Sequence, residues 1–429
     1  MPRLRPASPA FTALLGALVT LGSFATDMGL PVLAATAASL GVTPARAALT
    51  FSAFMAGFAA GPLVFGPVSD RLGRRPVLLG GCLVFALCGG LAASAPSLGA
   101  LLAWRLLMGV GAGTCQVLVM ATVRDLFTGA EARARQSYVN LAAGVAPIVA
   151  PTLGVWVAAL AGGWRAIYAA LAAGGVVLFA AAAVGLGESA PGRGTALITP
   201  RAVLASYARV VRHPVSMGYA AVMALSFGSL FAYVSGSPLV VIGLMGVSER
   251  AFGLLFASTA LGLTAGAFAN ARLLRRGVPH RRLVAAGLAT VVAVSLVLVA
   301  LAATGVLRVW LLVPLVVVAH VGQGVLRPNA AQGVLEPVAE IAGVAGAVLS
   351  ALQMLVGATA SALAAALFDG RTALAMTGTM AVCALGAAAV YAGVVRRAEG
   401  RADRRAAAAP GGAPSLAAGA AGAAGVAPG

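Results

Sequence analysis

From residue 137 to residue 186 the chain carries a single charged side chain, Arg165. A stretch this long and this poor in charge has room for two membrane-crossing helices, since each needs roughly 20 apolar residues. The pattern recurs along the chain. Apolar runs lie near 12–32, 46–65, 77–95, 98–122, 137–160, 164–186, 215–242, 250–269, 283–303, 309–330, 341–367 and 372–395. Hydrophobic residues make up 61% of the chain and charged ones 9%, against about 45–50% and about 25% in soluble domains. Lipid is therefore the solvent for most of this protein. The predicted fold is an all-α polytopic membrane protein of twelve transmembrane helices in two six-helix bundles.

The net charge of +18 would suggest nucleic-acid binding in a soluble chain. Here the basic residues, all of them arginine, sit between the apolar runs, and the positive-inside rule accounts for them. With the N-terminus in the cytoplasm, 22 arginines fall in cytoplasmic segments and 5 in outer loops. Both termini are therefore expected in the cytoplasm, and no nucleic-acid partner is expected. Arg105 and Arg327 are left inside spans. Cys82, Cys88, Cys115 and Cys383 all lie in apolar runs without a CxxC spacing and read as buried free thiols, not metal ligands. The first run looks like a signal peptide, but Asp27 follows without a convincing cleavage site, so an uncleaved first span is expected.

Residues 187–214 form the longest internal polar stretch and divide six spans from six. The expected organisation is a first bundle over 1–186, a cytoplasmic linker over 187–214, a second bundle over 215–395 and a disordered cytoplasmic tail over 396–429. The second part of the linker reads as a short arginine-bearing helix on the membrane surface. A weak internal echo supports paired halves: GPVSDR at 66–71 follows the second run and GAFANAR at 266–272 follows the eighth. Paired halves place a transport site near the midplane between them.

Charge is concentrated in one short segment. Gly66, Asp70, Arg71, Gly73, Arg74 and Arg75 occupy the loop between the second and third runs. Gly73 supplies a tight turn, and Asp70 is placed to cap the next helix. One reading is a topology anchor with its arginines in water. The other is a cytoplasmic latch whose charge pairs cross the two halves and break when the inner gate opens. The segment resembles, position for position, the loop 2–3 signature of the major facilitator superfamily. The resemblance implies two six-helix bundles around a central cavity, working by alternating access, and favours the latch.

Charged groups inside the bilayer are costly and usually face a cavity or a partner. Asp27 in the first span and Arg105 in the fourth fall at comparable depth. They read either as a proton site or as a structural ion pair. Asp27-Met28-Gly29-Leu30-Pro31 resembles the acidic motif of drug:proton antiporters. The run from Leu101 through Arg105 to Gly113 resembles the superfamily's span 4 motif, with Met108 where Gln is usual. Stretches at 121–126, 146–151, 328–330 and 336–337 resemble the Bcr/CflA drug-resistance branch. In that branch Asp27 and Arg105 would serve proton coupling and substrate binding. The span 5 antiporter motif is matched only in kind, with small residues at Ala146, Ala150 and Gly154 and a bend at Pro151.

Candidate cavity residues are Thr20 and Phe24 beside Asp27; Gly109, Ala112 and Gln116 on the Arg105 face; Asn140; and, in the second half, His320 and Gln353. His320 reads either as a proton relay or as a neutral hydrogen-bonded histidine. Gln323 is a further polar group, Arg327 reads as snorkelling, and Phe227, Phe231 and Tyr233 face either cavity or lipid. The three histidines are scattered, so no enzyme constellation forms. The expected function is proton-coupled export of small amphipathic drugs of phenicol, bicyclomycin or sulfonamide type across a bacterial inner membrane. The alternative is transport of a native metabolite on the same fold. The expected partners are a small-molecule substrate and the lipid bilayer, the expected state is a monomer, and no cofactor beyond the proton gradient is expected.

Overall fold

The structure is a computed structural model that describes residues 4–6, 8–189 and 200–401. The linker segment 190–199 and the tail from 402 lie outside the described residues. The first part of the expected disordered tail, 396–401, is instead helical, because Glu399 pairs with Arg281 at 3.0 Å and accepts from the Tyr219 hydroxyl at 2.8 Å. The first half contains α1 (Pro9–Asp27), α2 (Leu33–Ser39), α3 (Pro44–Leu72), α4 (Arg74–Ala93), α5 (Leu98–Leu126), α6 (Gly129–Ala161) and α7 (Trp164–Gly185). The second contains α8 (Pro200–Arg212), α9 (Pro214–Ser237), α10 (Glu249–Arg275), α11 (His280–Ala303), α12 (Val309–Leu335), α13 (Ala342–Ala366) and α14 (Leu374–Val390).

Helices start where the sequence supplies caps. The Thr43, Ser97 and Ser248 hydroxyls each accept from a backbone N–H three residues on. The stretch Val309–Ala366 is helical for 58 residues, about 87 Å at 1.5 Å per residue and far longer than the ~30 Å hydrocarbon layer. It breaks at Val338 (φ −133°, ψ 37°) inside a tight turn at Glu336–Ile341, so it crosses twice. The described residues thus hold twelve spans, with α2 and α8 as short extras.

The first run differs from expectation. It is one span only as far as Asp27; the chain then turns and winds again as α2. Pro31 disfavours helical geometry at Leu30 and brings no N–H of its own. The next span runs past its apolar limit, because α3 continues through Asp70 and Arg71 to Leu72.

Within each half, glycines let helix backbones touch. A Cβ at Gly61 on α3 would lie 2.7 Å from both the Val110 carbonyl oxygen and the Thr114 nitrogen on α5. Gly57 meets the Leu106 carbonyl, while Gly109 and Gly113 press back on Phe54 and Phe58. The second half repeats this: Gly262 and Gly266 on α10 meet the Val317 and Val321 carbonyls on α12. Likewise Gly81 faces Gly111, and Gly287 faces Gly322. This packing fixes the internal repeat. Gly57 and Gly61 correspond to Gly262 and Gly266, so the echo pairing Gly66 with Gly266 is five residues out of register. A Cβ on Gly66 would meet nothing within 4 Å.

Between the halves, α3 packs along α13 and α6 along α10. Glycine contacts here are with side chains: Gly357 meets the Met55 methyl, Gly253 the Thr152 hydroxyl at 3.0 Å and Gly343 the Arg124 guanidinium at 2.8 Å, measured from a Cβ placed on each glycine. At the arginine-poor end the halves share one apolar cluster, including Leu30, Ala47, Phe51, Tyr233, Phe252 and Met376. Another cluster, around Val210, Tyr219 and Val395, belongs to the second half alone.

The arginine-bearing helix expected in the linker is α8. Its Arg209 pairs with Glu340 at 3.0 Å, just before α13. Burial, then the Asp70 carboxylate, pushes the Tyr207 phenol above its usual range, which places α8 against the charged loop as well.

The glycine contacts yield a stability test. Gly61→Ala is expected to cost about 1–3 kcal/mol by overpacking, while Gly66→Ala is expected to be neutral or slightly stabilising. Thermal unfolding of the two purified variants in one detergent checks the order; equal melting points would refute the close-packing account.

Candidate functional site

Helix α1 stops inside the protein, and the last carbonyls of a helix lack intrahelical donors. The Met28 N–H donates to the Phe24 carbonyl at 3.1 Å and the Leu30 N–H to that of Asp27 at 3.3 Å. The Ala25 carbonyl is met by a side chain, the Arg105 guanidinium, whose Nη1 donates to it at 2.7 Å. Arg105 Nε donates to the Thr50 carbonyl on α3 at 3.3 Å. The guanidinium carbon stands 4.5 Å from the Phe54 ring centroid and 5.7 Å from that of Tyr168, where ring quadrupoles favour a cation. Arg105 is 1% exposed.

Asp27 is 5% exposed and is the last residue of α1. The structure forms no Asp27–Arg105 ion pair; the guanidinium holds the helix two residues earlier, at Ala25. The matched depth expected from the sequence is therefore present, but the direct pairing is not. The cause is local: the free carbonyls at the end of α1 compete for the same donors. Gly154 on α6 lies against the Met28 backbone, beside Asp27. Ala146, Ala150 and Pro151, on the same helix, are buried, and Thr152 reaches Gly253 across the halves.

The remaining cavity candidates divide. Thr20, Phe24 and Gln116 are half-buried, and the Thr20 hydroxyl donates to its own helix at Ala17. Gly109 and Ala112 do not line open space. Gly109 presses on the α3 backbone and Ala112 is 1% exposed, because the Arg105 face of α5 is the face that packs on α3. Asn140 is exposed. His320 is buried, with Nδ1 2.8 Å from the Thr259 carbonyl. A carbonyl can only accept, so Nδ1 carries the proton, and Nε2 is left without a partner. Its ring stands edge-on to Tyr233 at 5.5 Å. Gln353 is buried with Nε2 unpartnered, as is Gln323 with Oε1.

The charged loop is built differently from expectation. Gly73 turns the chain in one residue at φ +100°. Asp70 does not cap α4; it belongs to α3 and pairs with Arg74 Nη1 at 2.5 Å. The N–H at the start of α4 is met by Glu188, whose Oε1 accepts from Arg74 N at 2.7 Å. Arg74 is not in water: it is 7% exposed, with Nε 2.9 Å from Asp125 and Nη1 2.6 Å from the Ser69 hydroxyl. Arg75 donates to the Ala183 carbonyl at 2.6 Å. Arg71 is exposed. These pairs join α3, α4, α5 and the end of α7, all in the first half. Across the halves, Arg124 meets Gly343, and Tyr207 on α8 lies near enough to Asp70 to feel its charge.

Sequence reasoning passed over one pair: Asn329 donates to Asn270 at 2.6 Å, tying α12 to α10. Its signal was an amide near the end of each of two runs. Arg327, expected to snorkel, is half-buried and stands 5.6 Å from the ring centroid of Phe227. No group of three potential metal ligands occurs among the described residues.

Residues 12–362 match the family described as Major Facilitator Superfamily. The chain belongs to the Major Facilitator Superfamily. It is thus a multi-pass membrane transporter and not an enzyme. A chloramphenicol resistance protein of Pseudomonas aeruginosa is 34% identical over 275 residues, covering 63% of this chain and 62% of that one. A bicyclomycin resistance protein homolog of Haemophilus influenzae is 28% identical over 375 residues, covering 87% and 93%. The chain is related to Bcr/CflA-type drug-resistance proteins. Its fold is similar to that of a bacterial homolog of the human lysosomal transporter Spinster, in an inward-facing and occupied conformation. The TM-score is 0.70 at 13% identity, over 90% of this chain and 96% of that one.

The loop network yields a graded outcome. Asp125 is nearly as buried as Arg74, with side chains 8% and 9% exposed. Truncating one partner of such a pair costs about 3–5 kcal/mol, so Asp125→Ala is expected to lower the melting temperature sharply. Asp70, 36% exposed, is expected to cost about 0–1 kcal/mol on the same change. Thermal unfolding that ranks them the other way would show that Arg74 does not rely on Asp125.

Proposed function

We propose that this superfamily member is a proton-coupled exporter of small amphipathic drugs in a bacterial inner membrane, with both termini cytoplasmic. The observation that carries the reading is Asp27. It is the carboxyl, among the described residues, that lies inside the spans without an ion-pair partner, at the end of a helix that Arg105 holds in place. Its proton can therefore come and go without breaking a salt bridge, while small movements of α1 change its surroundings.

The cycle is alternating access. With the arginine-rich end cytoplasmic, the apolar cluster shared by the halves seals the outer side, as an inward-facing state requires. Drug enters from the cytoplasm as Asp27 releases its proton; after the halves rock, Asp27 is reprotonated from outside and the drug leaves. Gly154 packs on Met28, next to Asp27, and its neighbour Thr152 touches the second half, so movement between the halves is felt at the carboxyl. In the outward-facing state the charged loop would exchange partners across the halves, with Arg124 and Gly343 already adjacent. Phenicols, bicyclomycin and sulfonamides are the substrate types in view, the first two supported by the relatives' names. A native metabolite is the alternative cargo.

Inverted vesicles with an acidified lumen provide the test. Adding a transported drug is expected to collapse the pH gradient with wild-type protein and to leave it intact with Asp27→Asn of equal abundance. A response that persists in Asp27→Asn would remove Asp27 from the coupling mechanism.

A further inference from the structure

Arg327 is the one arginine inside a second-half span, and its surroundings differ from those of Arg105. Arg105 donates to two backbone carbonyls. Arg327 is half-buried and makes no hydrogen bond or ion pair among the described residues; it only stacks over Phe227. A cation kept in the bilayer without a counter-charge calls for a partner of opposite sign.

The neighbouring polar groups are also unpartnered. On α12, His320, Gln323 and Arg327 follow at intervals of three and four residues and so share a face. The His320 ring meets Tyr233 on α9 and the Arg327 guanidinium meets Phe227 on α9. Gln323 therefore lies between them, along α9. Its Oε1, His320 Nε2 and the Ser226 hydroxyl on α9 are all buried without partners. Phe227 also touches Gly357 on α13, where the Met55 methyl arrives from the first half. Gln353, one turn from Gly357 on the same face, has its Nε2 buried and unpartnered. The groups thus collect around one aromatic ring at the interface of the halves.

We propose that Arg327, Gln323, Gln353 and the Phe227 ring form a subsite for an organic anion, specifically the carboxylate or equivalent acid group of an aromatic substrate. This rests on the transport reading above and narrows its cargo to acidic amphipaths. The guanidinium fork suits a carboxylate bidentately. The unpartnered Gln353 Nε2 can donate to the carboxylate, while Gln323 Oε1, an acceptor, is open to a donor elsewhere on the substrate. The Phe227 face, already beside the cation, takes the aromatic body. The repeat register strengthens the assignment. Leu106 and Val110 correspond to Val317 and Val321, which sets Arg327 at the position of Gln116 in the first half. The second half thus carries a cation where the first carries a neutral amide.

The test is binding, which needs no proton gradient. Full-length protein in lipid nanodiscs is titrated calorimetrically with naphthoate and with its uncharged isostere naphthamide. A charge-assisted bidentate contact should favour the acid by about tenfold or more. Arg327→Gln is expected to abolish that preference, lowering naphthoate binding by about tenfold or more, and Arg327→Lys to retain part of it. Gln353→Leu, which keeps the charge, is expected to weaken naphthoate binding and serves should Arg327→Gln fail to fold. Equal affinity for the two probes, no naphthoate binding, or a preference that survives Arg327→Gln would overturn the proposal. Drug-driven proton flux without acid preference would overturn this inference alone. Acid preference with silent vesicles would count against the coupling role of Asp27 alone.

Discussion

Hydrocarbon offers no hydrogen-bond partner to a peptide group, and most features of this protein follow from that. Spanning segments must be helical. Many hydroxyls inside them turn back on their own helix, as those of Thr20, Thr114 and Thr377 do. Helices cannot gain from expelling water within lipid, so they associate by close packing, and glycine sets how close. The same constraint explains Arg105. A helix that ends inside the protein leaves carbonyls unmet, and a guanidinium meets one of them while linking α1 to α3 and α5. Asp27, at the end of the same helix, forms no ion pair with Arg105.

The fold was largely legible because hydropathy reports it directly: a run of twenty apolar residues has few alternatives. The errors came where sequence distance stopped predicting spatial distance. The end of the first span depended on Pro31, a steric effect that an apolar run hides. Asp70 sat at the right spacing to cap α4, yet Glu188, three residues beyond the end of α7, took the position. No local pattern announces a contact between residues so far apart in sequence. Gly109 lies on the same face as Arg105, but that face turned out to be the α3 contact, since Arg105 itself points at backbone carbonyls.

The repeat register shows how two halves with one architecture diverge. Backbone contacts between glycines and carbonyls are duplicated almost unchanged, since any Cβ there would displace a helix. Side chains beside them are free to differ. Arg327 occupies the place of Gln116, and even one close-packed glycine differs, His320 standing where the first half has Gly109. The scaffold is thus largely symmetric where backbones touch and asymmetric in its polar side chains. The weak echo in the primary sequence missed this because it matched polar residues, which drift, and overlooked the glycine pairs Gly57/Gly262, Gly61/Gly266 and Gly113/Gly324, which do not.

The kind of atom that meets the most closely packed glycines differs inside and between the halves. On the α3–α5 and α10–α12 seams it is peptide backbone, which has no slack. Between the halves the nearest atom belongs to a side chain, of Met55, Thr152 or Arg124. Such side chains have several staggered positions of similar energy, so one that loses its neighbour in one rotamer can find another in the next. The seams between the halves are therefore built like bearings at these points, with compliant rollers between two stiff blocks. A tilt of one block against the other would be taken up by rotamer changes at these few side chains, without bending a helix.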